Sequence, residues 1–279
     1  MIKNLIAKVT GKKQAYAEFG EYPIILHVGY HKCLTVYVNK ILKKLSEEFN
    51  FLHRQFRSYH EDKIEDFLEA RTPGVYFPKN NPYLDLSNIG PYKGSHFIRN
   101  PRDLIVSGYK YHLWTDEDWC IRKNYNWKRI TELDAFKKYI ESDEALFPQQ
   151  GQSYQEYLNS LDKTRGMTLE ILRNFGSITH MNKWDYHQPE FIEFKYEDII
   201  GNEGSVFQRI FEHYGFKPAI VKRGVELAEE YSLKNIKKSE NSHVQDGSLE
   251  QWRKHMEPEH IQIFDELYPG VMDRLGYPS

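Results

Sequence analysis

A lysine and a threonine follow a short apolar run near the amino terminus, in the sequence IILHVGYHKCLT, residues 24–35. The run from Ile24 to Leu26 is typical of a buried strand, and the residues after the turn have the periodicity of a helix. Backbone N–H groups at the start of a helix favour an anion, while Lys32 adds a positive charge and Thr35 a hydroxyl donor. This arrangement predicts a phosphate or sulfate site; the alternative is an ordinary strand-to-helix turn with a surface lysine.

The loop differs from that of an ordinary nucleotide triphosphate site. Such a loop needs further glycines and ends in Gly-Lys-Ser/Thr, whereas Cys33 and Leu34 stand here and no nearby carboxylate is placed to hold magnesium. A cysteine at this position raises a redox or nucleophile interpretation. The simpler interpretation is a small side chain that fills the space under the loop.

A second cluster lies in FIRNPRDLIVSGYKYH, residues 97–112. Arg99 falls at the end of a predicted strand, Pro101 suits the first turn of a helix, and Ser107 follows two turns later. Because a guanidinium can bind a phosphate bidentately, Arg99 and Ser107 are candidates to hold one phosphate together. Taken alone, the sequence RNPRD is also consistent with a helix start that places Asp103 near the positive end of the helix dipole.

Apolar runs that resemble strands alternate along the chain with segments of helical periodicity. Such alternation with short connections predicts a parallel sheet covered by helices, that is, an α/β fold. Ligands bind these sheets at the carboxyl ends of the strands, where both clusters fall. The predicted strands are 23–28, 74–78, 95–100 and 190–194, and the predicted helices are 38–49, 153–182, 203–214 and one that begins at Pro101.

The composition excludes several classes of protein. The chain has 279 residues, 40% of them hydrophobic, and a formal net charge of -2, so no bulk field attracts nucleic acid or an anionic membrane. Two cysteines are too few for a disulfide framework or a Cys-rich zinc site, and a reduced, cytoplasmic location is expected. Residues 1–14 are too polar for a signal peptide or a membrane span and are expected to form a surface helix.

The two clusters together resemble the signatures of the PAPS-dependent sulfotransferases. PAPS, 3′-phosphoadenosine 5′-phosphosulfate, is the activated sulfate donor, and PAP is its desulfated product. The family signature Arg-Asn/Asp-Pro-Arg/Lys-Asp-x-x-x-Ser holds the 3′-phosphate, and it matches from Arg99 through Ser107 at every defining position. The resemblance spans about 22–276. It implies a single sulfotransferase domain over 1–279, with a central parallel sheet flanked by helices and a topology like that of P-loop NTPases.

The other family signature, Lys-x-Gly-Thr-Thr, holds the 5′-phosphosulfate and is matched less completely. Lys32 and Thr35 match, whereas Cys33, Leu34 and Val36 replace the usual residues. By this resemblance, Lys32 neutralises the bridging and leaving oxygens while the acceptor attacks sulfur in line. Because a sulfuryl group carries less charge than a phosphoryl group, no metal is expected.

Two weaker resemblances follow in the expected order. The sequence FKYEDII resembles the family's Tyr-Glu-Asp strand and helix, and residues 246–255, DGSLEQWRKH, resemble its late Arg-Lys-Gly-x-x-Gly-x-Trp loop. Gly247 and Trp252 are retained but the basic pair is not, so Arg253 or Lys254 is the candidate to compensate. The residues expected to bind PAPS or PAP are His31, Lys32, Cys33, Leu34, Thr35, Val36, Arg99, Ser107, Tyr196, Gly247, Trp252 and Arg253.

The catalytic base is the least determined part of the resemblance. Cytosolic relatives carry Lys-x-His before the 3′-phosphate signature, but the corresponding stretch, GVYFPKNNPY, offers Lys79 or Asn80 and no histidine. Other relatives use a glutamate or histidine after the first helix, where His53, His60 and Glu61 stand, and a histidine near neutral pKa suits a base. The expected catalytic residues are therefore Lys32, His60, Glu61 and Lys79, with His60 favoured as the base.

The acceptor is expected to be a hydroxyl or amine of a small molecule. The aromatic and acidic stretch 112–120, HLWTDEDWC, is interpreted as a solvated loop anchored by two tryptophans; alternatively, it forms a wall of the acceptor pocket suited to a cationic acceptor. Two other functions stay open. Magnesium dependence and ATP binding would indicate a nucleotide-dependent phosphotransferase, and PAP binding without turnover would indicate a catalytically silent PAP-binding or scaffold protein.

Overall fold

The computed structural model describes residues 16–56, 63–78, 86–131, 134–146, 151–232, 235 and 248–278. In this part of the chain five strands form one sheet of order β2-β3-β1-β4-β5, and every neighbouring pair is parallel. The predicted α/β fold with a central parallel sheet is confirmed. The strands are β1 (Ile24–Gly29), β2 (His53–Phe56), β3 (Gly74–Pro78), β4 (Tyr92–Ile98) and β5 (Phe191–Lys195).

Helices cover both faces of this sheet. None in the described ranges is long and apolar enough to cross a membrane. The helices are α1 (Thr35–Phe49), α2 (Ile64–Glu69), α3 (Pro101–His112), α4 (Asp118–Ile121), α5 (Lys128–Thr131), α6 (Asp134–Ser142), α7 (Tyr154–Ser160), α8 (Lys163–Arg173), α9 (Phe175–Lys183), α10 (Tyr196–Ile199), α11 (Glu203–His213), α12 (Pro218–Glu230), α13 (Trp252–His255), α14 (Pro258–Leu267) and α15 (Val271–Arg274).

The two faces of the sheet have separate cores because successive strand residues point in opposite directions. Ile25 and Phe97 pack on one face against apolar residues of α1, α11 and α12. Leu26 and Ile98 point to the other face, where α2 covers the β2 side and α3, α8 and α9 cover the β4 side. β1 is buried along its whole length, as expected of a central parallel strand.

The described elements differ from the sequence prediction at β2 and within residues 153–182. β2 was not predicted, because its sequence HRQF lacks the apolar residues that mark a strand. The helix predicted over 153–182 is three helices: Leu161 is extended and Asp162 starts α8 by accepting a hydrogen bond from the N–H of Arg165. The surface helix expected over 1–14 lies outside the described residues.

The register of the sheet determines which loops meet. Gly29 at the end of β1 pairs with Phe97 in β4, and Ile98 at the end of β4 pairs with Lys195 at the end of β5. The segments that follow these three strands therefore start side by side, at the carboxyl-terminal ends of the strands.

Candidate active site

The loop between β1 and α1 has an unusual backbone. Lys32 and Leu34 have φ of 67 and 59, in the left-handed region that favours glycine. The N–H of Cys33 donates to the carbonyl of Tyr30 at 3.0 Å, closing the turn before α1 begins. A left-handed conformation costs a non-glycine residue about 1–2 kcal/mol, and residues held in such regions concentrate at functional sites. Leu34 occupies the signature's glycine position, so the fold imposes there the backbone that a glycine would adopt freely.

Lys32 lies over an aromatic ring at this edge of the sheet. Its Nζ is 3.7 Å from the centroid of the Tyr111 ring on α3. Burial lowers the pKa of Lys32 to about 7, and the positive charge of Arg99 acts in the same direction, against the carboxylates of Glu117 and Glu170. At neutral pH the side chain is therefore divided between its charged and neutral forms, and a bound anion would favour the charged form.

Arg99 is buried directly beside that loop. Its Nη1 donates to the carbonyl of Lys32 at 3.3 Å, and its guanidinium lies 4.1 Å from the ring centroid of Tyr196, the first residue after β5. Its Nε and Nη2 are buried and have no hydrogen-bond partner in the part of the chain that the structure describes. A buried donor without a partner is costly, so two such donors on one guanidinium indicate a place for an acceptor such as a phosphate.

The start of α3 is organised by the signature residues. Pro101 begins the helix as predicted, and the Asn100 side chain accepts hydrogen bonds from the N–H groups of Arg102 and Asp103 at 3.0 and 3.4 Å. The N–H of Asn100 donates in turn to Glu197 Oε1 at 3.1 Å. The capped helix thus fixes the point at which the chain leaves β4, immediately after Arg99.

The late segment is held against α3 by a carboxylate. Asp103 accepts the backbone N–H of Glu250 at 2.8 Å and that of Trp252 at 2.9 Å. The centroid of the buried Trp252 ring is 4.7 Å from the guanidinium of Arg102 and 4.4 Å from that of Arg253. Arg253 also pairs with Glu250 at 3.2 Å. Asp103, interpreted from the sequence as a dipole partner, therefore joins the 3′-phosphate signature to the late loop.

A family model for the sulfotransferase domain matches residues 96–276, well over half of the chain. The chain belongs to the sulfotransferase domain family. The match contains Arg99, Ser107, Tyr196 and Trp252, and it begins after the loop that carries Lys32. The predicted family is thus confirmed, while the roles of individual residues stay predictions.

Solved structures resemble this one over most of its length. One is a mouse sulfotransferase complexed with PAP, with 14% sequence identity and a TM-score of 0.48, covering 94% of this chain and 87% of that one. Another is a retinol dehydratase in complex with androsterone and inactive cofactor PAP, with 14% identity and a TM-score of 0.47, covering 91% and 82%. No curated protein matches the chain significantly in sequence. Neither structural likeness is close enough to transfer a ligand or a residue role.

Other predicted binding residues of this sulfotransferase-domain chain have mixed environments. Thr35 is buried, Ser107 is half-buried on α3, and Val36 is exposed. The Cys33 side chain is buried in the core below the loop, and burial raises the pKa of its thiol to about 12. A thiolate is thus disfavoured at neutral pH, which supports the packing interpretation of Cys33 over the redox one.

Four predicted site residues, His60, Glu61, Lys79 and Gly247, lie outside the described residues. The alternative base His53 lies within the described residues. It is the first residue of β2 and therefore lies at the amino-terminal ends of the parallel strands, whereas Lys32 follows the carboxyl end of β1. Its ring nitrogens contact the carbonyl of Val75 at 3.2 Å and Oδ1 of Asn39 at 3.0 Å, and burial lowers its pKa to about 4. These contacts argue against His53 as the base.

A group that the sequence prediction missed lies next to Lys32. His31 Nε2 is 3.0 Å from His112 Nε2, and His112 Nδ1 is 2.6 Å from Glu170 Oε1. Only His31 was predicted in the site, as a cofactor-binding loop residue. His112 and Glu170 carried no signal, because Glu170 lies 58 positions further along the chain and meets His112 only through the packing of α8 on α3.

The aromatic stretch 112–120 lies against this group. Trp119 has its ring centroid 5.0 Å from that of His112 and 6.2 Å from that of His31, and its Nε1 donates to Glu117. The stretch contains the short helix α4 and the buried Cys120, so it is not the solvated loop that was favoured. Its position beside Lys32 and His31 is the one expected of a pocket wall.

Proposed function

We propose that the protein transfers a sulfuryl group from PAPS to a hydroxyl or amine of a small-molecule acceptor. The observation that carries this proposal is the pair of unpartnered buried nitrogens on Arg99, next to Lys32, in a chain of the sulfotransferase domain family. Both groups can hold anionic oxygens, and PAPS supplies them on its 3′-phosphate and its 5′-phosphosulfate.

In this proposal, different residues bind the two anionic groups of PAPS. Arg99 and Ser107 hold the 3′-phosphate, while the loop from His31 to Val36 holds the 5′-phosphosulfate through its backbone and Lys32. Tyr196 supports the Arg99 guanidinium from one side. Gly247, Trp252 and Arg253 of the late segment complete the 3′ side, and Asp103 positions Trp252 by accepting its backbone N–H.

Lys32 acts on the transfer step. Bound PAPS supplies the activated sulfuryl group, and the Lys32 ammonium neutralises charge that grows on the leaving phosphate oxygens. No metal is assigned to this step, since the lysine and the loop N–H groups provide the positive potential. We therefore expect full activity after treatment with EDTA.

The acceptor site lies on the side of Lys32 that faces residues 112–120. Glu117, Tyr111 and Trp119 provide a carboxylate and two ring faces there, a combination that suits an acceptor with a positive charge. Lys79, His60 and Glu61 stay candidates for contacts with the sulfuryl group and the acceptor.

Ligand-dependent thermal unfolding tests this proposal. PAP should raise Tm more than AMP at equal concentration, because only PAP has the phosphate assigned to Arg99; at a hundred times its Kd, PAP should stabilise the fold by about 2.7 kcal/mol. Replacing Arg99 by Ala should remove the advantage of PAP, whereas the surface control Arg223→Ala should keep it. Equal shifts with PAP and AMP in the wild type would refute the 3′-phosphate assignment. Stabilisation by ATP and magnesium alone would favour a phosphotransferase.

Activity is measured with PAPS and a panel of small alcohols, phenols and amines. The proposal predicts a sulfated product detectable by mass spectrometry and an equal amount of PAP. PAP binding without any sulfated product or PAP release would instead indicate a catalytically silent binding protein.

A further inference from the structure

Three side chains form a hydrogen-bonded chain that ends one residue before Lys32. Glu170 on α8 contacts His112 at the end of α3, and His112 contacts His31 in the loop after β1. The two imidazole rings are 11° from parallel with their centroids 5.1 Å apart, and they meet through their Nε2 atoms. Three elements that are distant in sequence thus hold one loop histidine.

The charge states along this chain follow from burial and from Arg173. Burial alone would raise the pKa of Glu170, but the charge of Arg173 and the contact with His112 lower it to about 2. Arg173 Nε and Asn174 Nδ2 donate to Oε2 at 3.2 and 3.3 Å, and the Tyr154 hydroxyl donates to Oε1. Burial lowers the pKa of His112 to about 4, although Glu170 opposes this. At neutral pH the pair is therefore a carboxylate and a neutral imidazole.

These charge states determine the tautomers. A carboxylate only accepts hydrogen bonds, so the proton of His112 is on Nδ1, facing Glu170, and its Nε2 carries the lone pair. That Nε2 accepts from the Nε2–H of His31, which leaves the lone pair of neutral His31 on Nδ1. The arrangement follows the logic by which a carboxylate orients a catalytic imidazole, extended here by a second histidine.

His31 is enclosed by aromatic rings and by a small set of charged groups. The Tyr111 and Trp119 ring centroids lie 5.7 and 6.2 Å from that of His31, and Glu117 fixes both rings by accepting from the Tyr111 hydroxyl at 3.2 Å and from Trp119 Nε1. Among the described residues, the titratable and charged groups around this chain include Lys32 and Arg99 at the loop, Tyr111 on α3, Glu117 and Cys120 near α4, Tyr154 on α7 and Arg173 on α8.

We propose that His31 is the general base of sulfuryl transfer, and that His112 and Glu170 are the residues that position it. The proposal rests on the PAPS-dependent activity proposed above. As the acceptor oxygen or nitrogen bonds to sulfur, its proton moves to Nδ1 of His31. The bond from sulfur to the bridging oxygen breaks, and its electron pair leaves on the 5′-phosphate beside Lys32. The protonated imidazole then returns its proton to water.

This assignment places two functions on successive residues. Lys32 neutralises the leaving group, and His31 removes the proton of the attacking group. The earlier expectation placed the base at His60, which lies outside the described residues, so the two histidines are competing assignments that one set of variants can separate.

The first experiment measures single-turnover release of PAP from PAPS, with phenol, with 4-nitrophenol and with water alone. His31→Asn should slow the reaction with phenol about 10²–10⁴-fold and abolish the loss of rate at acidic pH. Its effect with 4-nitrophenol should be much smaller, because this acceptor is already ionised in mildly alkaline buffer. PAP affinity should change by no more than a few-fold. The matched control is His187→Asn. His187 is exposed and precedes the amino-terminal end of β5, away from the loop that carries His31, so this variant should behave as wild type.

The second experiment reads the tautomers by NMR of protein labelled with ¹⁵N-histidine, independently of turnover. Neutral His112 should carry its proton on Nδ1 and neutral His31 on Nε2, and Glu170→Gln should disturb both populations while lowering the rate with phenol. A merely structural role for Glu170 would lower Tm without shifting the His31 tautomer.

The results separate the two proposals. A wild type that releases no PAP from PAPS with any acceptor, whether or not it binds PAP, would refute the proposed function, and this inference with it. An active wild type would overturn the inference alone in any of three cases: His31→Asn keeps the wild-type rate with phenol, the proton of neutral His31 is on Nδ1, or His60→Asn rather than His31→Asn removes the acid limb of the pH profile.

Discussion

Arg99 and Arg102 lie three positions apart in one signature, and both are buried, yet their surroundings differ. Arg102 Nη2 pairs with Asp265 at 2.8 Å, and its guanidinium lies 4.7 Å from the Trp252 ring and 5.2 Å from the Phe264 ring. Among the described residues, Arg99 has one hydrogen bond, to a backbone carbonyl, and two buried nitrogens without a hydrogen-bond partner, whereas Arg102 has one such nitrogen, Nε. Arg102 joins α3, the late segment and α14, whereas Arg99 is the residue to which we assign the 3′-phosphate.

The difference shows how one short motif serves both stability and binding. Arg99 directly follows β4, at the carboxyl ends of the parallel strands, where such sheets bind ligands. Arg102 lies in the first turn of α3 and contacts the helices packed against it. Residue type alone does not separate the two roles, since both side chains are arginines. Their partners do.

Among the changes at and around the two arginines, the largest effect is expected at Lys32, which lies next to Arg99. Lys32→Met should lower the rate of sulfuryl transfer by about a hundredfold to a thousandfold, because the ammonium acts mainly on charge that develops in the transition state. PAP affinity should fall much less. Single-turnover rates and PAP titrations check this, and a variant with normal turnover and only weak PAP binding would make Lys32 a binding residue like Arg99.

The same substitution at the two arginines should have opposite effects on the ligand-free fold. Arg102→Met loses the ion pair with Asp265 and its packing on Trp252, and should reduce the free energy of unfolding by about 1–3 kcal/mol. Arg99→Met removes buried donors without partners and should leave that free energy unchanged or raise it by up to about 1 kcal/mol. Urea denaturation without ligand measures both. Equal losses would mean that Arg99 is as structural as Arg102.

The pH dependence of PAP binding tests whether Lys32 becomes protonated when PAP binds. Its pKa of about 7 in the free protein lies below the ordinary value of 10.5, and a bound anion should raise it. Binding should therefore take up a proton above about pH 7, so affinity falls as pH rises through that value, by at most about tenfold per pH unit. Calorimetry in two buffers of different ionisation enthalpy counts the proton. The slope should be absent in Lys32→Met, and a slope that persists there would assign the proton to another group.

The smallest effect is expected at Cys33. Because burial raises its pKa to about 12, the native thiol should react with iodoacetamide far more slowly than after unfolding, and Cys33→Ala should change PAP affinity by less than a few-fold. Mass spectrometry of the labelled protein measures the reaction. Rapid labelling in the native state that is blocked by PAP would instead place the thiol at the site.

The sequence predicted the parts of the site that depend on local patterns. Pro101 begins α3 and Arg99 directly follows the last residue of β4, close to the predicted strand end, since apolar runs and a proline signal both elements. β2 was missed because its residues are mostly polar, and the break near Leu161 was missed because the helical pattern continues through it.

Contacts between distant elements could not be predicted in the same way. The meeting of His112 with Glu170 depends on how α8 packs against α3, and the pairing of Arg102 with Asp265 spans 163 positions. Nothing local distinguishes these residues from other histidines and carboxylates.

The most direct test of the account is calorimetric titration of wild type and Arg99→Met with PAP and with AMP. The account predicts that Arg99→Met loses about 2 kcal/mol or more of PAP binding and little of AMP binding, so that the difference isolates the contact between Arg99 and the 3′-phosphate. An equal loss with both ligands, or no loss with either, would contradict it.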